Sequence, residues 1–214
     1  MRRSIYGVLL ALFTTGAVPA SAASLIVNGS FESSSVDPGL YCSAHTTGDT
    51  SITGWEVTAF EIHYCDVGYW PASDGTRSID LDGDSSEGGM RQSFATVAGQ
   101  TYTVSFDMAG NNYGLPVIKP MQVSADGQSA VFQFDTTGTT YAAFGWTTMT
   151  WSFVADDGSA TLEFLSLTPT TGYIPSYGAV IDNVVVTPEP ALLALLLGGL
   201  GGIAGLRQRH PRSA

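Results

Sequence analysis

Thr101–Met108 reads T-Y-T-V-S-F-D-M, and its alternation decides the fold class. Tyr102, Val104, Phe106 and Met108 fall on one side of an extended chain, Thr101, Thr103, Ser105 and Asp107 on the other. A half-buried strand needs this period of two, because successive side chains point to opposite faces. The pattern recurs outward in both directions. Thr76–Asp82 sets Ile79 and Leu81 against Asp80 and Asp82. Thr148–Phe153 sets Met149, Trp151 and Phe153 against Thr148, Thr150 and Ser152. Ala160–Leu167 sets Leu162 and Phe164 against Thr161, Glu163 and Leu165. Ala179–Thr187 sets Val180, Asp182, Val184 and Val186 against Ile181, Asn183 and Val185. Turn pairs such as Asp74-Gly75, Ala98-Gly99, Asp126-Gly127, Thr137-Gly138 and Asp157-Gly158 separate these runs. No helical stripe of useful length appears outside the termini. About nine or ten antiparallel strands then form one all-β domain over residues 23–187, a two-sheet sandwich of the jelly-roll kind.

The chain has 214 residues, 44% hydrophobic and 13% charged, with a net charge of −11. That excludes a disordered acidic tail. It also excludes a nucleic-acid partner, which needs clustered Lys and Arg at the phosphates. Arg2, Arg3, Arg207, Arg209 and Arg212 flank the chain, and all 19 acidic residues lie between the two basic ends. Residues 1–22 have the parts of a secretory signal helix: Arg2-Arg3, the apolar run Ile5–Phe13 and the small-residue site Ala20-Ser21-Ala22. At the other end, Pro188-Glu189-Pro190 precedes the uncharged Ala191–Leu206, which ends at Arg207-Gln208-Arg209. As a short hydrophobic helix that span reaches about 24 Å, less than a ~30 Å hydrocarbon core, and suits transient inner-membrane insertion.

Pro188, Glu189 and Pro190, the Leu/Gly-rich span and the basic tail closely resemble the PEP-CTERM sorting signal of Gram-negative bacteria. The resemblance implies recognition by an exosortase over residues 188–214, in cells that make exopolysaccharide. A plain membrane anchor is the alternative, and in either case the middle domain faces outward, at the cell surface or in the extracellular matrix. A second resemblance covers the domain. Leu25–Glu32 (L-I-V-N-G-S-F-E), Gly54-Trp55, Ser78–Gly83 (S-I-D-L-D-G), Gly99–Asp107 and Val180–Val186 (V-I-D-N-V-V-V) look, in that order, like the choice-of-anchor C group and the domain-of-unknown-function 642 family. More distantly they are similar to galactose-binding-like carbohydrate-binding modules. The resemblance implies a surface β-sandwich associated with polysaccharide and without established catalytic machinery.

It also implies a structural calcium held by Glu32 and Asp182. A carboxylate among Val180, Val184 and Val186 needs a cation or several N–H donors, and both solutions stay open. Asp80, Asp82 and Asp84 fail the EF-hand pattern, so the first two read as strand residues facing water and the third as a turn residue. Cys42 and Cys65 predict a disulfide in an exported chain. His45 and His63 beside them keep a zinc site open, as they do unpaired thiols. Trp55 and Trp151 read as core. Tyr69 and Trp70 before Pro71, Tyr113, and Tyr173 and Tyr177 around Pro175 sit in polar loops, as sugar-stacking platforms or as loop packing. There is neither a G-x-S-x-G elbow nor an H-E-x-x-H motif, and the reading is not an enzyme. The domain then binds or organises extracellular polysaccharide. The alternatives are a matrix protein acting through protein contacts and a glycan-active enzyme with two carboxylates.

Overall fold

The computed structural model describes residues 23–84, 87–169 and 177–190. The two terminal helices expected from the sequence, and Tyr173, lie outside these residues. Among the described residues there are eleven strands and no helix. They are β1 (Cys42–Thr46), β2 (Glu56–Ala59), β3 (Glu61–Asp66), β4 (Arg77–Asp80), β5 (Gly89–Ala95), β6 (Thr101–Gly110), β7 (Ile118–Ala125), β8 (Gln128–Asp135), β9 (Thr147–Val154), β10 (Ser159–Ser166) and β11 (Ala179–Pro188). The surplus over the sequence reading comes from β1–β3, runs of four to six residues where the alternation is weak.

One sheet has the order β1-β3-β4-β11-β6-β9 and the other β2-β5-β10-β7-β8, with every pairing antiparallel. Within them, β4-β11-β6-β9 faces β5-β10-β7-β8, which is the eight-stranded jelly-roll wrap. β3 and β1 extend one edge, and β2 extends the other. The inner face carries the residues that the alternation selects. Tyr102, Val104, Phe106 and Met108 are all buried, and the Phe106 ring lies 5.2 Å from both Phe132 and Phe164 of the opposite sheet. Trp55 is core as expected, between Phe31 and Phe164.

The opening L-I-V-N-G-S-F-E runs beside β11, with Leu25 N–H donating to Val186 O and Val184 N–H to Gly29 O. Gly29 permits that approach: a Cβ there would lie 1.9 Å from Val184 O. Asn28, at φ 55°, ties Ser33 and Thr53 through its amide. β11 departs from strict alternation. Its register with β6 shifts between Asp182 and Val185, and Asn183 has φ 50°. This bulge changes the parity of the strand. Asp182 pairs with Asp107, while Val186 pairs with the inward Val104. The sequence reading that places Asp182 on the face of Val184 and Val186 is therefore corrected: the extra residue turns Asp182 to the outer face.

Candidate functional site

The outer face of the six-stranded sheet is polar by sequence yet largely buried. His63 pairs with Asp80 and Cys65 with Ser78 on β3–β4, and Asp182 pairs with Asp107 on β11–β6. Over them fold two loops. Trp70, from the β3–β4 loop, stacks on Phe144 from the β8–β9 loop at 4.9 Å and donates its indole N–H to Ser78 Oγ. The Trp146 indole N–H donates to Pro71 O, and Tyr141 O–H to Tyr69 O–H. Asp80 and Asp82, expected to face water, are covered too, by Asn111 and Gly178 from the segments after β6 and before β11. The two carboxyls are 0% and 1% exposed, and a period-two pattern cannot register a loop that folds back over a sheet's second face.

Burial drives the Asp80 and Asp82 carboxyls above the ordinary range, and the Asp80 charge raises Asp82 further. Asn111 Nδ2 donates to Asp80 Oδ2 at 2.8 Å. Lys119 enters from β7, fully buried, and its ammonium donates to the carbonyls of Gly114 and Tyr177. Burial pushes it down to about 8, against the pull of Asp80 and Asp82.

Beside the cap opens a cleft of about 430 Å³. Tyr41, Tyr69, Tyr113 and Tyr177 line it, with Trp70, His63, Asp84, Asn111 and the half-buried Cys42. The structure therefore gathers Tyr69, Trp70, Tyr113 and Tyr177 from three separate loops into one place. Their roles differ. Tyr113 is 65% exposed, whereas Trp70 is 2% exposed and serves as packing rather than as a platform. Tyr113 meets Tyr141 edge-on at 4.9 Å and lies 6.3 Å from Tyr177. Tyr41 was not among the sequence candidates, although its place next to Cys42 is a signal. The Cys42–Cys65 disulfide is formed and fixes the start of β1 against β3, where the two residues are register partners. Both sulfurs are thereby unavailable to zinc. His45 is buried and hydrogen-bonds Ser43, Asp49 and Ser51.

Glu32 and Asp182 converge on one segment. Asp182 Oδ2 accepts from the N–H groups of Ser73 and Asp74, and Oδ1 from Asn183 N–H. Glu32 Oε1 accepts from Thr76 and Arg77 N–H, and Oε2 from Thr76 O–H. Burial raises Asp182 to about 7 despite these donors. Five backbone N–H groups thus face the two carboxylates. Calcium wants six to eight oxygens, and donors of this kind fit a clamp on residues 73–77 rather than an ion's shell. Alongside, Asp107 accepts from Ser73, Thr148 and Asn183. Burial raises its carboxyl, and these bonds outweigh it and leave it below the usual range. Pro188 pairs with Tyr102, and Glu189 N–H donates to Thr101 O, so the first two residues of the Pro-Glu-Pro motif dock on β6.

The chain is 32% identical over 196 residues to halomucin of Haloquadratum walsbyi, covering 86% of this chain and spanning about 2% of that curated relative's length. Among solved structures, one described as CBM4 structure and function aligns at a TM-score of 0.45 and 20% identity, covering 77% of this chain and 99% of the other. TmCBM61 in complex with beta-1,4-galactotriose aligns at 0.43 and 15% identity, covering 78% and 100%. A family 35 carbohydrate binding module from Clostridium thermocellum aligns at 0.42 and 13% identity, covering 67% and 97%. The family model described as a protein of unknown function, DUF642, matches residues 24–187, and the chain belongs to that family.

Proposed function

We propose that this domain is an exported, surface-sorted and non-catalytic module that binds extracellular polysaccharide in the tyrosine cleft. The observation that carries the reading is the convergence of Tyr41, Tyr69, Tyr113 and Tyr177 on one open cleft with Asn111 and His63. Sugars present apolar C–H faces ringed by hydroxyls. Tyrosine answers both, with a flat apolar ring and a hydroxyl, at low cost in side-chain entropy. Glycosidic hydrolysis would need two carboxylates flanking the bond. Of the described residues that line the cleft Asp84 is a carboxylate, and Glu61 stands within 4.8 Å of it, closer than the about 5–5.5 Å of a retaining pair, which favours binding without chemistry.

Export rests on residues 1–22, and sorting on Pro188-Glu189-Pro190 with the span and basic tail behind it. In this reading an exosortase processes the chain at the inner membrane of a Gram-negative bacterium. Mass spectrometry of the protein isolated from its host tests both ends: a mature N-terminus near Ala23 and loss of residues after the motif are expected. An intact chain in the cytoplasm overturns the export reading.

Binding is tested by retention of the purified protein on a panel of polysaccharides, with calcium and with chelator. Retention that Tyr113→Ala weakens about tenfold, the equivalent of one lost stacking contact, supports the cleft. No retention on any glycan moves the reading to a matrix protein acting through protein contacts. Calcium at Glu32 and Asp182 is tested in the same series. A lower melting temperature in chelator supports it, and an unchanged one leaves the N–H clamp as the whole account.

A further inference from the structure

We propose that Glu61, His63 and Asp84 form a binding site for a divalent first-row transition-metal ion, for which zinc is the probe, in the wall of the tyrosine cleft. Glu61 and His63 are two residues apart on β3 and so share a face. Asp84 comes from the turn after β4, the strand that pairs with β3. His63 Nε2 lies 3.6 Å from Asp84 Oδ1 and 3.9 Å from Glu61 Oε1, and the three atoms all fall within 4.8 Å of one another. Two ligands on a tetrahedral zinc, each at about 2.0–2.1 Å, stand about 3.3 Å apart. A contraction of a few tenths of an ångström therefore brings each carboxylate to coordinating distance from the imidazole.

The set is partly organised already. Glu61 and His63 are mostly buried, at 15% and 17% side-chain exposure, and Asp84 at 75% is a free arm. Asp84 N–H donates to Glu61 Oε1 at 2.6 Å and Gly83 N–H to Glu61 O, which ties the turn to the strand. A Cβ at Gly83 would lie within 2.6 Å of the Glu61 side chain, so glycine lets Glu61 lie across the turn. Two further carboxyls adjoin the set in the chain. Asp80 is the register partner of His63, and Asp82, 1% exposed, has an Oδ1 with no hydrogen-bond partner. The buried Lys119 ammonium, directed to two backbone carbonyls, also lies near these carboxylates.

The donor chemistry narrows the ion. Calcium and magnesium take oxygen shells, while an imidazole with two carboxylates suits zinc and its neighbours. Three protein ligands leave a fourth position for water. The site is separate from Glu32 and Asp182, which hold residues 73–77, and does not depend on the cleft binding sugar.

Zinc titration by calorimetry on the full chain, dialysed first against chelator, tests the site. One zinc per chain is expected, weakened at least tenfold by His63→Gln and by Asp84→Asn. His210→Ala and Glu32→Gln should leave it unchanged, and calcium should not compete at equal concentration. Cobalt substitution should give tetrahedral visible bands that His63→Gln abolishes. Asp84 is exposed, so Asp84→Asn reports on binding even if His63→Gln lowers stability, which a thermal melt reveals. Absence of zinc binding, or zinc binding that neither variant weakens, overturns the proposal and leaves an ordinary His63–carboxylate ion pair.

Discussion

Asp182 holds the fold through backbone donors. Its two oxygens take the N–H groups of Ser73, Asp74 and Asn183, and Glu32 takes the next two along the same segment. Together they anchor the loop that carries Tyr69 and Trp70. Asp182→Asn turns an amide N–H₂ toward donors, and a loss of about 2 kcal/mol is expected from the unmet N–H groups. Urea unfolding in calcium and in chelator checks it. The same loss in both media is the result of an N–H clamp, and a larger loss in calcium would assign an ion to the pair. The residue types were legible in the sequence, since the N-G-S-F-E and V-I-D-N-V-V-V stretches drew attention to both. Their partners were not, because Ser73 and Asp74 are more than 100 positions from Asp182.

At the scale of the element, the informative feature is the joint between the opening segment and β11. Asn183 adopts a left-handed conformation at φ 50°, which asparagine tolerates and β-branched residues do not. The bulge sends Asp182 outward, and Val184 N–H then reaches Gly29 O. Gly29→Ala places a methyl against the Val184 carbonyl. It must move one backbone or the other, and about 2–3 kcal/mol of lost stability is expected, read as a lower denaturant midpoint at unchanged slope. A midpoint within error of the parent would mean that this joint is looser than drawn. A strand's alternation can be read from side chains alone. A bulge is a backbone event, and the only local sign of this one was an asparagine in a run of valines.

For the molecule as a whole, buried ionisable groups set the response to pH. Asp182 is raised to about 7, and Asp80 and Asp82 are raised as well, all chiefly by burial. Above an unfolded value of about 3.9, the unfolded chain has released protons that the folded chain retains, so stability falls as pH rises through the folded values. Lys119, lowered to about 8 by burial, acts in the opposite sense at higher pH. Between about 8 and 10.4 the unfolded lysine keeps a proton that the folded one has lost, and stability recovers. Asp49 and Asp107, both lowered, add stability that is lost as pH falls below the ordinary carboxylate range. In chelator, the melting temperature should thus be higher at pH 5 than at pH 8 and partly regained by pH 9.5. A midpoint that rises steadily from pH 5 to 8 would show these carboxyls to be compensated in a way the geometry does not contain.

Taken alone, the sequence determined the all-β class and the strands through Thr101–Met108 and Thr148–Phe153, and it made a Cys42–Cys65 disulfide the expectation. Each of these depends on local periodicity or on a cysteine count, quantities that neighbouring residues carry. It also supplied the loop tyrosines as candidates. Only the tertiary structure decided that Tyr69, Tyr113 and Tyr177 share one cleft with Tyr41, that Trp70 is packed beneath it, and that Asp80 and Asp82 are covered. Those outcomes depend on loops from distant parts of the chain folding over the outer face of one sheet. Burial there is created by what lies on top of the strand, and a strand's own pattern of apolar and polar residues records only the face turned toward the other sheet.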